Sequence, residues 1–168
     1  IPAEHIARWN GSSWNNVGSG LDSFVIDMIV FNNELHCGGS FANAGTTPAL
    51  RVVSWNGSTW AALGSGADNI VDALGIHNGE IYMGGDFLNA GGNPASHIAK
   101  WTGSAWTNVG IGFDDWVNDI FSFNGKLYAA GNFMYSGSTL LRYVSVYDGV
   151  NWLPMDAGVS SYSWKWAT

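Results

Sequence analysis

Trp116 follows two adjacent carboxylates, Asp114 and Asp115, and Tyr135 lies nineteen residues further on. These side chains suit recognition chemistry. An amphipathic ring stacks on the C–H faces of a sugar or packs at a protein interface, while neighbouring carboxylates accept hydrogen bonds from hydroxyls. Trp116, Asp115, Tyr135 and Asp114 are therefore the candidate ligand-binding set. Asp114 also belongs to a recurring series with Asp22 and Asp68. Repeated acids with backbone carbonyls can make a calcium site, but no loop carries a dense Asp-x-Asp-x-Asp-Gly run. The expected role is turn formation, each carboxylate bonding its own backbone two residues on. His5, His36, His77 and His97 are scattered, and Cys37 stands alone. No metal, no cofactor and no catalytic residue is expected, and the chain reads as a non-enzyme.

The elements that must position these residues come from an internal repeat. Trp9 and Trp14, Trp55 and Trp60, Trp101 and Trp106, and Tyr147 and Trp152 recur at a fixed interval of 46 residues, so one supersecondary unit is copied along the chain. Each copy opens with an apolar segment: Val25 to Phe31, Val71 to His77, Val117 to Phe123. A two-residue turn follows, Asn32-Asn33, Asn78-Gly79 or Asn124-Gly125, of the composition that a type I′ hairpin requires. Second segments end at Gly39, Gly85 and Gly131, and a Gly-rich connection leads to the third, such as Val52 to Trp55. Another tight turn leads to the fourth, around Trp60, Trp106 and Trp152. Four short antiparallel strands per 46 residues, with no helical periodicity, predict an all-β fold built of β-propeller blades. The repeats are 5–50, 51–96, 97–142 and a partial 143–168, a single propeller segment.

Gly38-Gly39 and Gly84-Gly85 at the close of the second strand, with an aromatic on the third and Trp on the fourth, resemble kelch repeats and the central propeller of galactose-oxidase-like proteins. The phrase Trp-Asn-Gly-Ser-x-Trp followed by Gly-Ser-Gly is also similar to tandem repeats of large secreted bacterial proteins. The third copy departs with Ala130-Gly131, and the fourth with Asp148 and Val150-Asn151. The resemblance implies that the first segment lies innermost and the Trp-bearing fourth outermost. It also implies an extracellular or cell-surface setting, and it carries no catalytic residue. A galactose-oxidase-like enzyme would need copper, a Tyr-Cys cross-link and a His pair, a set that does not surround Cys37.

Trp9, Trp55 and Trp101 are expected to be buried between adjacent blades. Asn10-Gly11-Ser12 and Asn56-Gly57-Ser58 fit the glycosylation acceptor pattern, but Asn-Gly is also what the turn requires. Cys37, Met83 and Ala129 share one position, an apolar slot.

Charge and hydropathy exclude other classes. A formal charge of −7 repels the phosphate backbone that dominates nucleic-acid affinity. No run of 18 apolar residues could span a membrane as a helix. About 3.65 copies (168 residues over 46) fall short of the 4 to 8 blades of closed propellers, so the remaining blades of a longer chain, or another copy, are expected partners, the third option being a truncated four-blade ring in which the N-terminal two strands pair with the C-terminal one. Ile1 to Glu4 aligns with a connection between second and third strands, and Tyr162 to Thr168 with an innermost strand.

Tight turns gather at one end of every blade. The long connections Ser40 to Leu50, Asp86 to Ser96 and Asn132 to Arg142 gather at the other, with the Gly20, Gly66 and Gly112 loops. Loops on a rigid scaffold are where binding concentrates. The expected function is a noncatalytic module engaging carbohydrate or protein through that long-loop face; the competing reading is a structural spacer or surface-layer segment.

Overall fold

The computed structural model describes residues 2–159, which form an all-β segment of a propeller and contain no helix. The expected innermost strand at Tyr162 to Thr168 lies outside the described residues. The chain begins with an outer hairpin, β1 (Ala7–Trp9) and β2 (Trp14–Asn16). The first complete blade follows as β3 (Val25–Phe31), β4 (Glu34–Gly39), β7 (Val52–Trp55) and β8 (Trp60–Ala62), hydrogen-bonded in that order. Between its second and third strands the connection makes a two-residue ribbon, β5 (Asn43–Ala44) with β6 (Thr47–Pro48).

The second blade repeats this plan as β9 (Val71–His77), β10 (Glu80–Gly85), β13 (Ile98–Trp101) and β14 (Trp106–Asn108), with ribbon β11 (Asn89–Ala90) and β12 (Asn93–Pro94). The third is β15 (Val117–Phe123), β16 (Lys126–Gly131), β19 (Val144–Tyr147) and β20 (Trp152–Pro154), with ribbon β17 (Tyr135–Ser136) and β18 (Thr139–Leu140). Every strand pair is antiparallel. β9 packs against both β3 and β15, so the first strands of the blades line up along the inner side. Among the described residues the blades do not close into a ring.

The turns follow their residues. Asn78 and Gly79 sit at φ 50° and 76°, the left-handed pair of a type I′ hairpin. At Asn10, Asn56 and Asp148 the side-chain oxygen accepts backbone amides two and three residues on, so these are turn-forming side chains.

The second glycine of each pair has a steric cause. A β-carbon on Gly39, Gly85 or Gly131 would lie 2.1, 2.1 or 2.0 Å from the carbonyl oxygen of Phe24, Ile70 or Trp116. That carbonyl accepts an amide just past the glycine: Ser40, Asp86 or Asn132. Beside it the ladder slips by one residue, as between Val25 and Asp27, giving a β-bulge.

Blade stacking supplies the core, and it corrects one expectation. Trp9 is 51% exposed, and Trp55 and Trp101 are only half-buried. The buried indoles belong to the fourth strands: Trp60, Trp106 and Trp152. Each reaches back to the preceding unit, where its Nε1–H donates to the carbonyl of Val17, Leu63 or Val109 at 3.3, 2.8 and 3.1 Å. Burying an indole is cheap only when its single donor is satisfied, and that carbonyl satisfies it. Cys37, Met83 and Ala129 are all fully buried, as their shared position predicts. Burial pushes the Cys37 thiol up to about 12, which leaves it a packing group.

Candidate functional site: an acidic cleft at the second blade junction

The recurring aspartates hold the long connections in place, but not as expected. Asp22 Oδ1 accepts the amides of Ala42 and Asn43 at 2.8 and 3.0 Å, and its Oδ2 takes the Asn43 side chain at 2.7 Å. Asp68 does the same with Leu88 and Asn89. Asp114 takes the amides of Met134 and Tyr135 at 2.9 and 2.8 Å. The local turn expected from sequence is replaced by a clamp onto backbone 20 and 21 residues away. The loop entering each innermost strand is thereby tied to the tip ribbon of the same blade.

In Asp22 the bond from the Asn43 amide leads the lowering of its carboxyl below the ordinary value. In Asp68 partial burial opposes ionisation, but the Asn89 and Leu88 donors outweigh it and the net shift is downward. In the third blade Tyr135 stands where Asn43 and Asn89 donate, so Asp114 lacks the side-chain donor its equivalents have.

Between the second and third blades, at this end, lies a cleft of about 540 Å³ lined by Asp68, Asn69, Asp86, His97, Asp114, Asp115 and Trp116, with Leu88. Three of the four sequence candidates meet there. Trp116 is 41% exposed, Asp114 exposed and Asp115 half-buried. The position of Trp116 is set by its backbone: its carbonyl is pressed onto Gly131 and bonded to Asn132, and its amide donates to Asp115 Oδ1 at 2.8 Å. Tyr135 is 41% exposed and tied to Asp114 through both backbone and carboxylate, yet its side chain is not part of the cleft lining.

The second blade supplies the other wall. Asn69 Nδ2 donates to Asp86 Oδ2 at 2.7 Å. Partial burial, opposed by His97 and reinforced by the Asp115 and Asp68 carboxylates, holds the Asp86 carboxyl above its ordinary value. His97 is buried, and its Nδ1–H donates to the Gly85 carbonyl at 3.0 Å. His97 was not a sequence candidate. It occupies a left-handed backbone position, φ 70°, that it shares with His5, Arg51 and Tyr143, and these residue types carry no common signal.

The corresponding positions of the first junction are chemically quieter. There Ser23 and Ser40 pair through their hydroxyls at 3.0 Å, and Arg51 replaces His97, its Nη1 donating to the carbonyls of Ser40 and Phe41 while its buried Nε has no partner among the described residues. Among the described residues no group of three or more His, Cys, Asp or Glu side chains is placed to hold a metal ion. No helix among them is long and apolar enough to cross a membrane. No protein-family model matches this chain, and no curated protein matches it.

Proposed function

We propose that the chain is a noncatalytic, kelch-like binding module of a secreted or cell-surface protein, engaging carbohydrate through the long-loop end, with a protein surface as the alternative ligand. One observation carries the reading. An exposed indole, Trp116, stands at the rim of a cleft whose other groups are acceptors and donors for hydroxyls, and the equivalent positions at the first junction lack this set. Stacking by the ring combined with hydrogen bonding by Asp115, Asp86 and Asn69 suits a sugar ring. Asp114 adds a carboxylate oxygen without an Asn partner.

Screening the purified chain on a glycan array identifies the ligand, after which Trp116→Ala combined with Tyr135→Ala is expected to weaken its capture at least ten-fold. Stability should fall by only about 1 kcal/mol, because both rings are well exposed. Full retention of binding by the double variant, with the same melting temperature, would refute the role of these rings and favour a spacer.

The outer hairpin bears on partners. Trp14 is 58% exposed, whereas its equivalents Trp60, Trp106 and Trp152 are buried against a preceding unit. We infer that a further unit of the same repeat, from a longer chain or a second copy, covers Trp9 and Trp14. Sedimentation velocity on the isolated chain is expected to show concentration-dependent association that Trp14→Glu abolishes; a monomer at all concentrations would rule out the second copy as that unit.

A further inference from the structure

A second groove lies at the opposite, tight-turn end of the same junction, and it gathers two lysines. It encloses about 530 Å³ between the second and third blades, and its polar lining includes His77, Tyr82, Lys100, Asn108, Lys126 and Tyr147. Lys100 and Lys126 are the only lysines among the described residues of a chain with formal charge −7. Both face this one groove.

The repeat makes a comparison possible that no single groove would allow. At the first junction the equivalent positions hold Phe31 for His77, Glu80 for Lys126, Trp101 for Tyr147 and Ser54 for Lys100. Four framework residues, apolar, acidic or neutral, have thus been replaced by polar or basic ones, and all four replacements converge. A blade needs none of them for folding, since the first junction packs without them.

The groups are available. Among the described residues the Lys126 ammonium has no ion-pair partner and the Tyr147 hydroxyl makes no hydrogen bond. Lys100 pairs with Glu80 at 3.1 Å, but both side chains are about one-third exposed, and a surface pair of that kind holds its partner weakly. The one acid on the lining, Asp148, already accepts the amides of Val150 and Asn151. His77 is fixed in place: Asn78 Nδ2 donates to its Nε2 at 3.0 Å, and its Nδ1–H donates to Ser122 Oγ of the third blade at 2.8 Å. It is therefore a rigid wall of the groove.

We propose that this groove binds the carboxylate of a short acidic saccharide, a uronic acid unit, between Lys126 and Lys100. The half-buried Tyr147 ring offers a stacking face and its hydroxyl a donor, and Asn108 supplies an amide for ring hydroxyls. A long polyanion is disfavoured by the net charge of the chain. Recognition is of a single acidic unit.

The test titrates the chain with trigalacturonate and, in parallel, with neutral galactotriose, following heat of binding at low salt. Trigalacturonate is expected to bind at least ten-fold more tightly than galactotriose, and 0.5 M salt to remove most of that difference. Lys126→Glu restores the residue of the preceding blades, so folding should survive, and it is expected to cost at least ten-fold in trigalacturonate affinity; Lys126→Gln, which adds no new charge, should cost several-fold. Equal affinity for the two trisaccharides, no binding of either, or undiminished binding by a folded Lys126 variant would overturn the proposal.

Discussion

Replacing Trp106 by Ala is expected to lower the stability of the chain by about 3 to 5 kcal/mol, the range for truncating a buried aromatic. The side chain is 2% exposed. Its ring lies 5.1 Å from that of Trp101, and the first and second blades meet in the core cluster to which it belongs. Its Nε1–H bond to Leu63 would be lost as well, although the Leu63 carbonyl keeps the amide of Gly66 as a donor. Trp106→Phe keeps an aromatic ring but is smaller than the indole and removes the donor, so an intermediate loss of roughly 2 to 3 kcal/mol is expected from the cavity and the missing bond. Trp14→Ala, measured at a concentration where the chain is monomeric, is the control: 58% exposed, it should cost about 1 kcal/mol or less. Guanidinium midpoints order the three variants, and a Trp14 loss equal to that of Trp106 would contradict the inter-blade role of the fourth-strand indole.

That control also marks the limit of what the repeat reveals. Spacing exposes the aromatic pair and the hairpin that joins it, because Trp55 and Trp60 are direct cross-strand partners. Which member of the pair is buried depends on a carbonyl 43 residues earlier, and no local pattern encodes it. The same applies to the aspartates. Their recurrence was legible, but the partner amides lie 20 residues on, in a tip ribbon too short to show periodicity. Trp116, Asp114 and Asp115 were found in sequence because they combine the repeat's acid with departures from it, and the fold brings them to one cleft with Asp86 and Asn69. Tyr135 departs from the repeat as they do and its backbone is close to Asp114, but its side chain is not in the lining. His97 stayed hidden, since its importance rests on a neighbouring wall and a backbone conformation.

Gly85→Ala is expected to be strongly destabilising for the addition of a single methyl group. The added carbon would sit 2.1 Å from the Ile70 carbonyl oxygen and 3.0 Å from the Val71 Cα. Both are backbone atoms that no rotamer change can move, and the Ile70 carbonyl is held in turn by the Asp86 amide at 3.0 Å. Gly85 does not have a left-handed φ, so the penalty is steric. Relief requires opening the bulge at the exit of β10, and a cost of about 3 kcal/mol or more follows from overpacking plus loss of that bond. Gly84→Ala should be milder, about 1 to 2 kcal/mol, because its new carbon meets the Val117 side chain and the third blade already carries Ala130 at that position. Gly79→Ala meets nothing within 4 Å and should cost only the roughly 1 to 2 kcal/mol of a left-handed alanine. The equivalent change in the third blade, Gly131→Ala, would press on the Trp116 carbonyl, 2.0 Å away. It should therefore impair the proposed ligand cleft along with stability, which Gly85→Ala reaches only through the Asp86 wall. Denaturant midpoints for the four variants, with ligand capture for Gly131→Ala, check this ordering; a Gly85→Ala protein as stable as Gly79→Ala would mean the bulge can yield, and the glycine pair would then need another explanation.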